Sequence, residues 1–315
     1  MPEGPEVRKY ADALDAALRG RKLTSLEART REARVWLQAN VSRLMGHKVE
    51  RVISHGKHLI GYIEGNFFFH SHLMMWGRWQ TFQSTTAANK KRDSSVCDKL
   101  PEKDRRERAR IVAQGGAAIL LSAPIFNVGE GDPYKSSEIL ATLGPDALPY
   151  DRKFAGLEFR RRLLAPENQL ATIGAVLLDQ RIVAGLGNYL RAEILFACRL
   201  DPWRKVADLN ERNLSCLIRT VPRLARAAYK RGATAAKKDR ERMAADSSLV
   251  YQPGREYGTR HMVFRRTNLP CLRCGEGVRQ LRQKTNNRER AADEEERTRI
   301  VYFCGKCQKV KNESL

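Results

Sequence analysis

Two Cys-x-x-Cys pairs near the C terminus, Cys271/Cys274 and Cys304/Cys307, set the tightest limit on what this chain can fold into. Four thiols in two local pairs meet only if the chain folds back on itself between them. In a reducing compartment such a set reads as a four-thiolate zinc site and not as disulfides. Gly275 and Gly305 follow ligands directly, as turns that wrap a metal require. A four-cysteine site is coordinatively closed, so one structural Zn2+ is expected, with no organic cofactor. A redox pair is the alternative, and no thioredoxin-like βαβ context supports it. Cys97, Cys198 and Cys216 read as ordinary thiols, the last two buried in helical patterns.

Charge narrows the partner. The 315 residues carry 58 Lys and Arg against 36 Asp and Glu, a formal charge of +22 and a pI near 10.0. Such an excess points to a polyanion, nucleic acid ahead of a membrane surface. There is no apolar run of about 18 residues and no secretory signal pattern. A cytoplasmic protein associated with the nucleoid, with no membrane partner, is therefore expected.

The patterns divide along the chain. A helix is predicted from Glu6 to Leu18, ended by Gly20. From Leu23 to Val128 the pattern is short and β-like, with turn signals at Gly65-Asn66 and Gly115-Gly116, as in an antiparallel sandwich or barrel. Residues 84–108 break it with a polar, then densely charged, loop. Helical periodicity returns over 159–164, 167–179, 188–197 and 210–231, with Pro222 expected to kink the last helix. Residues 232–260 read as a mobile loop. The predicted organisation is α+β and multidomain: a β-sandwich over 1–135, a linker over 136–158, a helical domain over 159–260 and a zinc module over 261–315.

Two local motifs carry chemistry. The chain starts Met1-Pro2-Glu3-Gly4-Pro5-Glu6. Removal of Met1 would leave Pro2 with a free secondary amine. An α-amino group has a pKa of roughly 7.7–8.0, so part of it is an unprotonated nucleophile at neutral pH, able to form an iminium with a sugar carbon. Glu3 puts a carboxylate beside it for proton transfer. The second motif is Gly185-Leu186-Gly187-Asn188 between helical stretches, with Asn188 as N-cap and Arg191 adding charge. Glycines before a helix N terminus expose N–H groups to phosphate. A plain packing corner is the alternative.

Together these motifs resemble the formamidopyrimidine-DNA glycosylase/endonuclease VIII (Fpg/Nei) family of DNA repair glycosylases. The resemblance rests on the PEGPE start, Gly56-Lys57, His72-Leu73-Met74-Met75-Trp76-Gly77, Leu143-Gly144-Pro145-Asp146, the Leu177-to-Asn188 run similar to a helix–two-turn–helix, and the cysteine finger ending Cys307-Gln308. It implies a bifunctional glycosylase and abasic-site lyase acting as a monomer on damaged DNA. Pro2 would attack C1′ and Glu3 would serve as general acid/base. Glu6, a second carboxylate of the start motif counted with the DNA-binding residues, would hold the N-terminal helix in place. Lys57, Asn188 and Arg299 would bind phosphate. Because the base must leave the stack, Met74, Met75 and Trp76 would fill the void. Taken alone, that apolar stretch reads as buried core.

Three departures stand out. Gly174 replaces a lysine that some relatives aim at phosphate. The 29 residues between Cys274 and Cys304 include the acidic run Asp293–Glu296. The Gly232-Ala233-Thr234 segment does not match the loop that caps oxidised purines. Purine-specific relatives also place part of their void-filling set in an Arg-x-Phe loop, and here Pro124 stands two places before Phe126. The resemblance thus points to the endonuclease VIII-like branch, oxidised pyrimidines and β,δ-elimination. An 8-oxoguanine/formamidopyrimidine glycosylase and a non-catalytic zinc-finger DNA-binding protein are the alternatives.

Overall fold

The computed structural model describes residues 2–83, 100–150, 153–251, 258–285 and 298–310. Cys97, the polar stretch 84–89 and the acidic run Asp293–Glu296 lie outside these. The chain forms two compact units that divide between Thr142 and Leu143.

In the first unit, helix α1 (Gly4–Leu18) buries Val7, Ala11, Leu14 and Leu18 along one face. Eight strands follow: β1 (Leu23–Ala28), β2 (Val49–His55), β3 (His58–Ile63), β4 (Phe67–His72), β5 (Arg78–Gln83), β6 (Glu107–Ala113), β7 (Gly116–Leu121) and β8 (Ile125–Glu130). They make two antiparallel sheets, ordered β1-β6-β7-β5 and β2-β3-β4-β8. Alternation sends Leu59, Ile63, Phe67 and Phe69 into the core between the sheets with Ile111, Leu120 and Phe126. The expected antiparallel sandwich is therefore present, with turns at Gly65-Asn66 and Gly115.

One element of this unit has no counterpart in the predicted pattern. Helix α2 (Arg31–Leu44) interrupts the strands and buries only Ala33, Leu37 and Leu44. So sparse an apolar stripe gives little helical periodicity.

The second unit is helical, with α5 (Gly156–Leu163), α6 (Ile173–Val176), α7 (Asn188–Ala197) and α8 (Glu211–Arg231) around a core that includes Phe159, Leu186, Leu190 and Leu217. The short helices α3 (Pro133–Ser136) and α4 (Glu138–Thr142) precede it at the end of the first unit. Helix α8 runs through Pro222 and ends on Gly232, whose φ of 66° is open to glycine without strain. The stretch read as a mobile loop contains helix α9 (Lys237–Ala245), which packs through Met243. Its charged sequence hides a single apolar anchor. Cys198 and Cys216 are half-buried and joined as a disulfide between α7 and α8, not free buried thiols. Their separation of 18 residues becomes contact only when the two helices pack. The chain closes with the hairpin β9 (Arg279–Lys284) and β10 (Thr298–Phe303), then α10 (Gly305–Gln308).

Candidate active site and nucleic-acid interface

The start of the chain is held by helix-capping chemistry. Glu3 is the N-cap of α1, and its backbone N–H donates to the Glu6 carboxylate at 3.0 Å. The Glu3 side chain is buried, and its carbonyl accepts from Glu6 and Val7. Glu6 therefore acts on the backbone that carries Pro2 and Glu3. A carboxylate at a helix N terminus also complements the helix dipole. Pro2 is half-buried at the lip of this cap.

Lys57 lies in the turn between β2 and β3 behind Gly56, whose φ is 57°. It is largely buried. The loop after β4 is closed by a hydrogen bond from the Gly77 N–H to the Leu73 carbonyl at 2.8 Å. A Cβ on Gly77 would lie 2.4 Å from that carbonyl oxygen, so only glycine closes this turn. Between its ends Met74, Met75 and Trp76 stand 42%, 52% and 80% exposed. These side chains are not core, as the stretch read alone implied. Three adjacent large apolar side chains in water mark an interaction surface. Phe126 by contrast is buried, within 6.1 Å of the Phe69 and Trp79 ring centroids.

In the second unit the glycine turn is built around Gln180. Its amide nitrogen donates to the Leu178 and Leu186 carbonyls, and its Oε1 accepts from the Gly185 N–H. Gly185 has φ +99°. The Gly144 N–H donates to the Gln180 carbonyl, and the Ala184 N–H donates to the Pro145 carbonyl, so Leu143–Asp146 braces the turn from behind. Gly187 is the N-cap of α7, one residue before the predicted cap, and Asn188 is the first residue of the helix. The Asn188 Oδ1 accepts from Arg191 Nη2 at 2.6 Å.

Arg191 is fully buried, so it is not a surface cation for DNA. Its guanidinium donates to the carbonyls of Gly174 and Ile300 and to the Gln283 side chain, besides Asn188. It thus fastens Asn188 to the finger strand that carries Arg299, which is itself exposed opposite Gln283. Gly174 is explained by the same contact. A Cβ there would sit 2.3 Å from Gln283 Oε1, so the finger fills the space a larger side chain would need.

Two further residues were not picked out from sequence. Glu193, buried on α7, accepts from the backbone of Met262, Val263 and Phe264 and from the Thr234 hydroxyl. Gln283 donates to Thr172 and to the Pro202 carbonyl. An acid and an arginine inside the apolar run Tyr189–Phe196 were the available signal, since charges so placed are paired when buried.

The four cysteine sulfurs lie within 4.8 Å of one another, with Cys271–Cys307 at 3.9 Å and Cys274–Cys304 at 3.4 Å. Tetrahedral zinc with Zn–S bonds of about 2.3 Å separates its sulfurs by about 3.8 Å, so the donor set fits. Burial pushes the Cys304 and Cys307 thiols up, Cys307 to about 11. A bound cation is what would hold them as thiolates.

Residues 1–117 match the formamidopyrimidine-DNA glycosylase N-terminal domain, and residues 143–239 match the formamidopyrimidine-DNA glycosylase H2TH domain. The chain is 30% identical to "Endonuclease 8" of Enterobacter sp. (strain 638), over 98% of its length and 100% of that protein. It belongs to the Fpg/Nei family. The Salmonella typhi "Endonuclease 8" is 29% identical over the same shares. Among solved structures, a Lactococcus lactis Fpg bound to abasic-site DNA superposes with TM-score 0.68 at 21% identity, over 98% of this chain and 99% of that one. A Lactococcus lactis Fpg mutant bound to Fapy-dG DNA gives 0.70 at 21%, over 98% and 100%. These Fpg structures share the fold. As an Fpg/Nei protein of the endonuclease VIII-like branch, this chain is a DNA glycosylase and abasic-site lyase of base excision repair. No helix among its described residues is long and apolar enough to cross a membrane.

Proposed function

We propose that the enzyme excises oxidised pyrimidines through the amine of Pro2, once Met1 is removed, and cleaves the strand by β,δ-elimination. The Pro2 nitrogen bonds to C1′ as the bond from C1′ to the base breaks. Glu3 protonates the sugar, the ring opens, and an iminium links Pro2 to C1′. The iminium acidifies the C2′ proton; its loss expels the 3′ phosphate, loss of the C4′ proton then expels the 5′ phosphate, and water hydrolyses the iminium to free the Pro2 amine and the sugar fragment. Lys57, Asn188 and Arg299 hold phosphates around the extruded nucleotide. One structural Zn2+ sits in the cysteine knuckle. The protein acts as a monomer on cytoplasmic, nucleoid DNA.

The observation that supports the pyrimidine reading is the exposure of the Met74–Trp76 loop together with the burial of Phe126. With Phe126 in the core and Pro124 before it, this later loop offers no Arg-x-Phe pair to fill the void. The test is a panel of matched duplexes. Thymine glycol should be excised faster than 8-oxoguanine, and borohydride should trap the protein on abasic DNA through residue 2. Faster excision of 8-oxoguanine would reject the pyrimidine reading, and failure to trap would reject the Pro2 mechanism.

A further inference from the structure

Four of the six histidines gather at the corner where β2, β3 and β4 meet, and the reaction above uses none of them. Register explains the gathering. His58 pairs with His55 on one side and His72 on the other, while His70 precedes His72 by one full pleat on the same face. The His58 Nδ1 and His70 Nε2 are 2.9 Å apart, hydrogen-bonded. The His58 ring lies 5.2 Å from His70, stacked, and 4.7 Å from His72. His58 and His70 are almost wholly buried. The row ends at the exposed loop, where His72 Nδ1 accepts the Met74 N–H at 3.1 Å. Met74 needs that help, since its φ of 51° is costly for a side chain with a Cβ.

We propose that His58, His70 and His72 are positioning residues that hold the Met74-Met75-Trp76 loop in its void-filling shape. His72 supplies the acceptor for the strained Met74 amide. His58 and His70 lock the His72 ring from behind. The inference rests on the reading of that loop as the void filler.

The arrangement works only with neutral imidazole, because a protonated Nδ1 cannot accept. Burial, then the Lys57 charge, holds His72 down to about 4. Burial, then His72, holds His70 to about 4, and His58 falls to about 2 through burial and then its histidine neighbours. The titratable groups around His72 are Lys57, His58 and His70, with His55 beyond them, its Nδ1 3.0 Å from the Tyr134 hydroxyl of α3. From β8, His72 faces Ile125 and His70 faces Asn127, while Glu130 pairs with Phe67 at the far end of the strand.

The test compares one pyrimidine lesion in duplex and in single-stranded DNA, since a single strand leaves no orphaned partner base to support. His72→Leu should lower duplex excision about fivefold relative to single strands, the loss of one hydrogen bond. His72→Asn, whose Oδ1 can accept in place of Nδ1, should recover most of that ratio. In the wild type the duplex-to-single-strand ratio should stay flat from pH 8 to about 5.5. In His58→Ala, where water reaches His72, the ratio should fall below about pH 6.5. Equal effects on both substrates, no recovery by Asn, or a flat ratio in His58→Ala would overturn the proposal. Loss of discrimination in His72→Leu with intact borohydride trapping would support it; a wild type that does not trap on abasic DNA would instead reject the Pro2 mechanism.

Discussion

Arg191 is the most consequential single side chain for the second unit, and replacing it with Met makes a sharp prediction. Met keeps much of the buried stem and removes the guanidinium. Two short hydrogen bonds disappear, to Asn188 Oδ1 at 2.6 Å and to the Ile300 carbonyl at 2.7 Å. Hydrogen bonds to a charged donor contribute about 1.5–3 kcal/mol each. The longer contacts to Gly174 and Gln283, both 3.3 Å, add less. Against this, the guanidinium no longer has to be desolvated, which returns several kcal/mol. The net expectation is a loss of about 2–3 kcal/mol, centred on β10 and the Asn188 turn. Hydrogen exchange is the right assay, because two units need not unfold together. Amides of β9 and β10 should exchange about 30–150-fold faster in Arg191→Met, while those of β3 and β4 stay unchanged. DNA affinity should fall as Asn188 and Arg299 lose their common tether. Unchanged protection at β10, with wild-type affinity, would refute the claim that this guanidinium fastens the finger.

Chelation with a zinc-specific dye should release one Zn2+ per chain and abolish DNA binding, leaving the circular dichroism of the sandwich strands in place; release of no metal from active protein would reject the site. Gly77→Ala should distort the loop that carries Met75 and slow duplex excision by at least about tenfold, since its Cβ would meet the Leu73 carbonyl oxygen at 2.4 Å; wild-type rates would show that the loop closes another way. Acid should destabilise the first unit. With His70 and His72 held to about 4 when folded, the unfolded chain binds more protons between about pH 6.5 and 4, so stability is lost as pH falls through that window. Each group contributes on the order of 3 kcal/mol at the acid end. Urea titrations followed by fluorescence of Trp79, whose Nε1 donates to Ser71 between the two histidines, should show the midpoint falling from about pH 7 to about pH 4.5; a constant midpoint would refute it.

What could be read in the sequence was local. The cysteine pairs declare themselves through spacing, and α1 through a full apolar stripe. The β-strands of the sandwich show as short β-like runs punctuated by turn signals such as Gly65-Asn66 and Gly115. What could not be read depends on contacts between distant segments. Helix α2 shows only three buried residues in fourteen, too few to establish a period. The Cys198–Cys216 bond needs α7 and α8 packed. Arg191 reads as one more cation in a basic chain until the finger strand closes over it. Met74–Trp76 carries no charged residue to signal exposure; a closing glycine and a histidine two residues upstream do the exposing.

The β9–β10 ladder has a bearing on how this chain can diversify. Thr298 pairs with Lys284, and the register runs unbroken from there to Phe303 and Arg279 beside the cysteines. The knuckle is therefore insulated from the length of the segment beyond that last pair. Closing a loop twice as long costs only about 0.6 kcal/mol more. Between Lys284 and Thr298 sequence can be gained, lost or exchanged for a fluorescent label while the metal-binding base keeps its geometry.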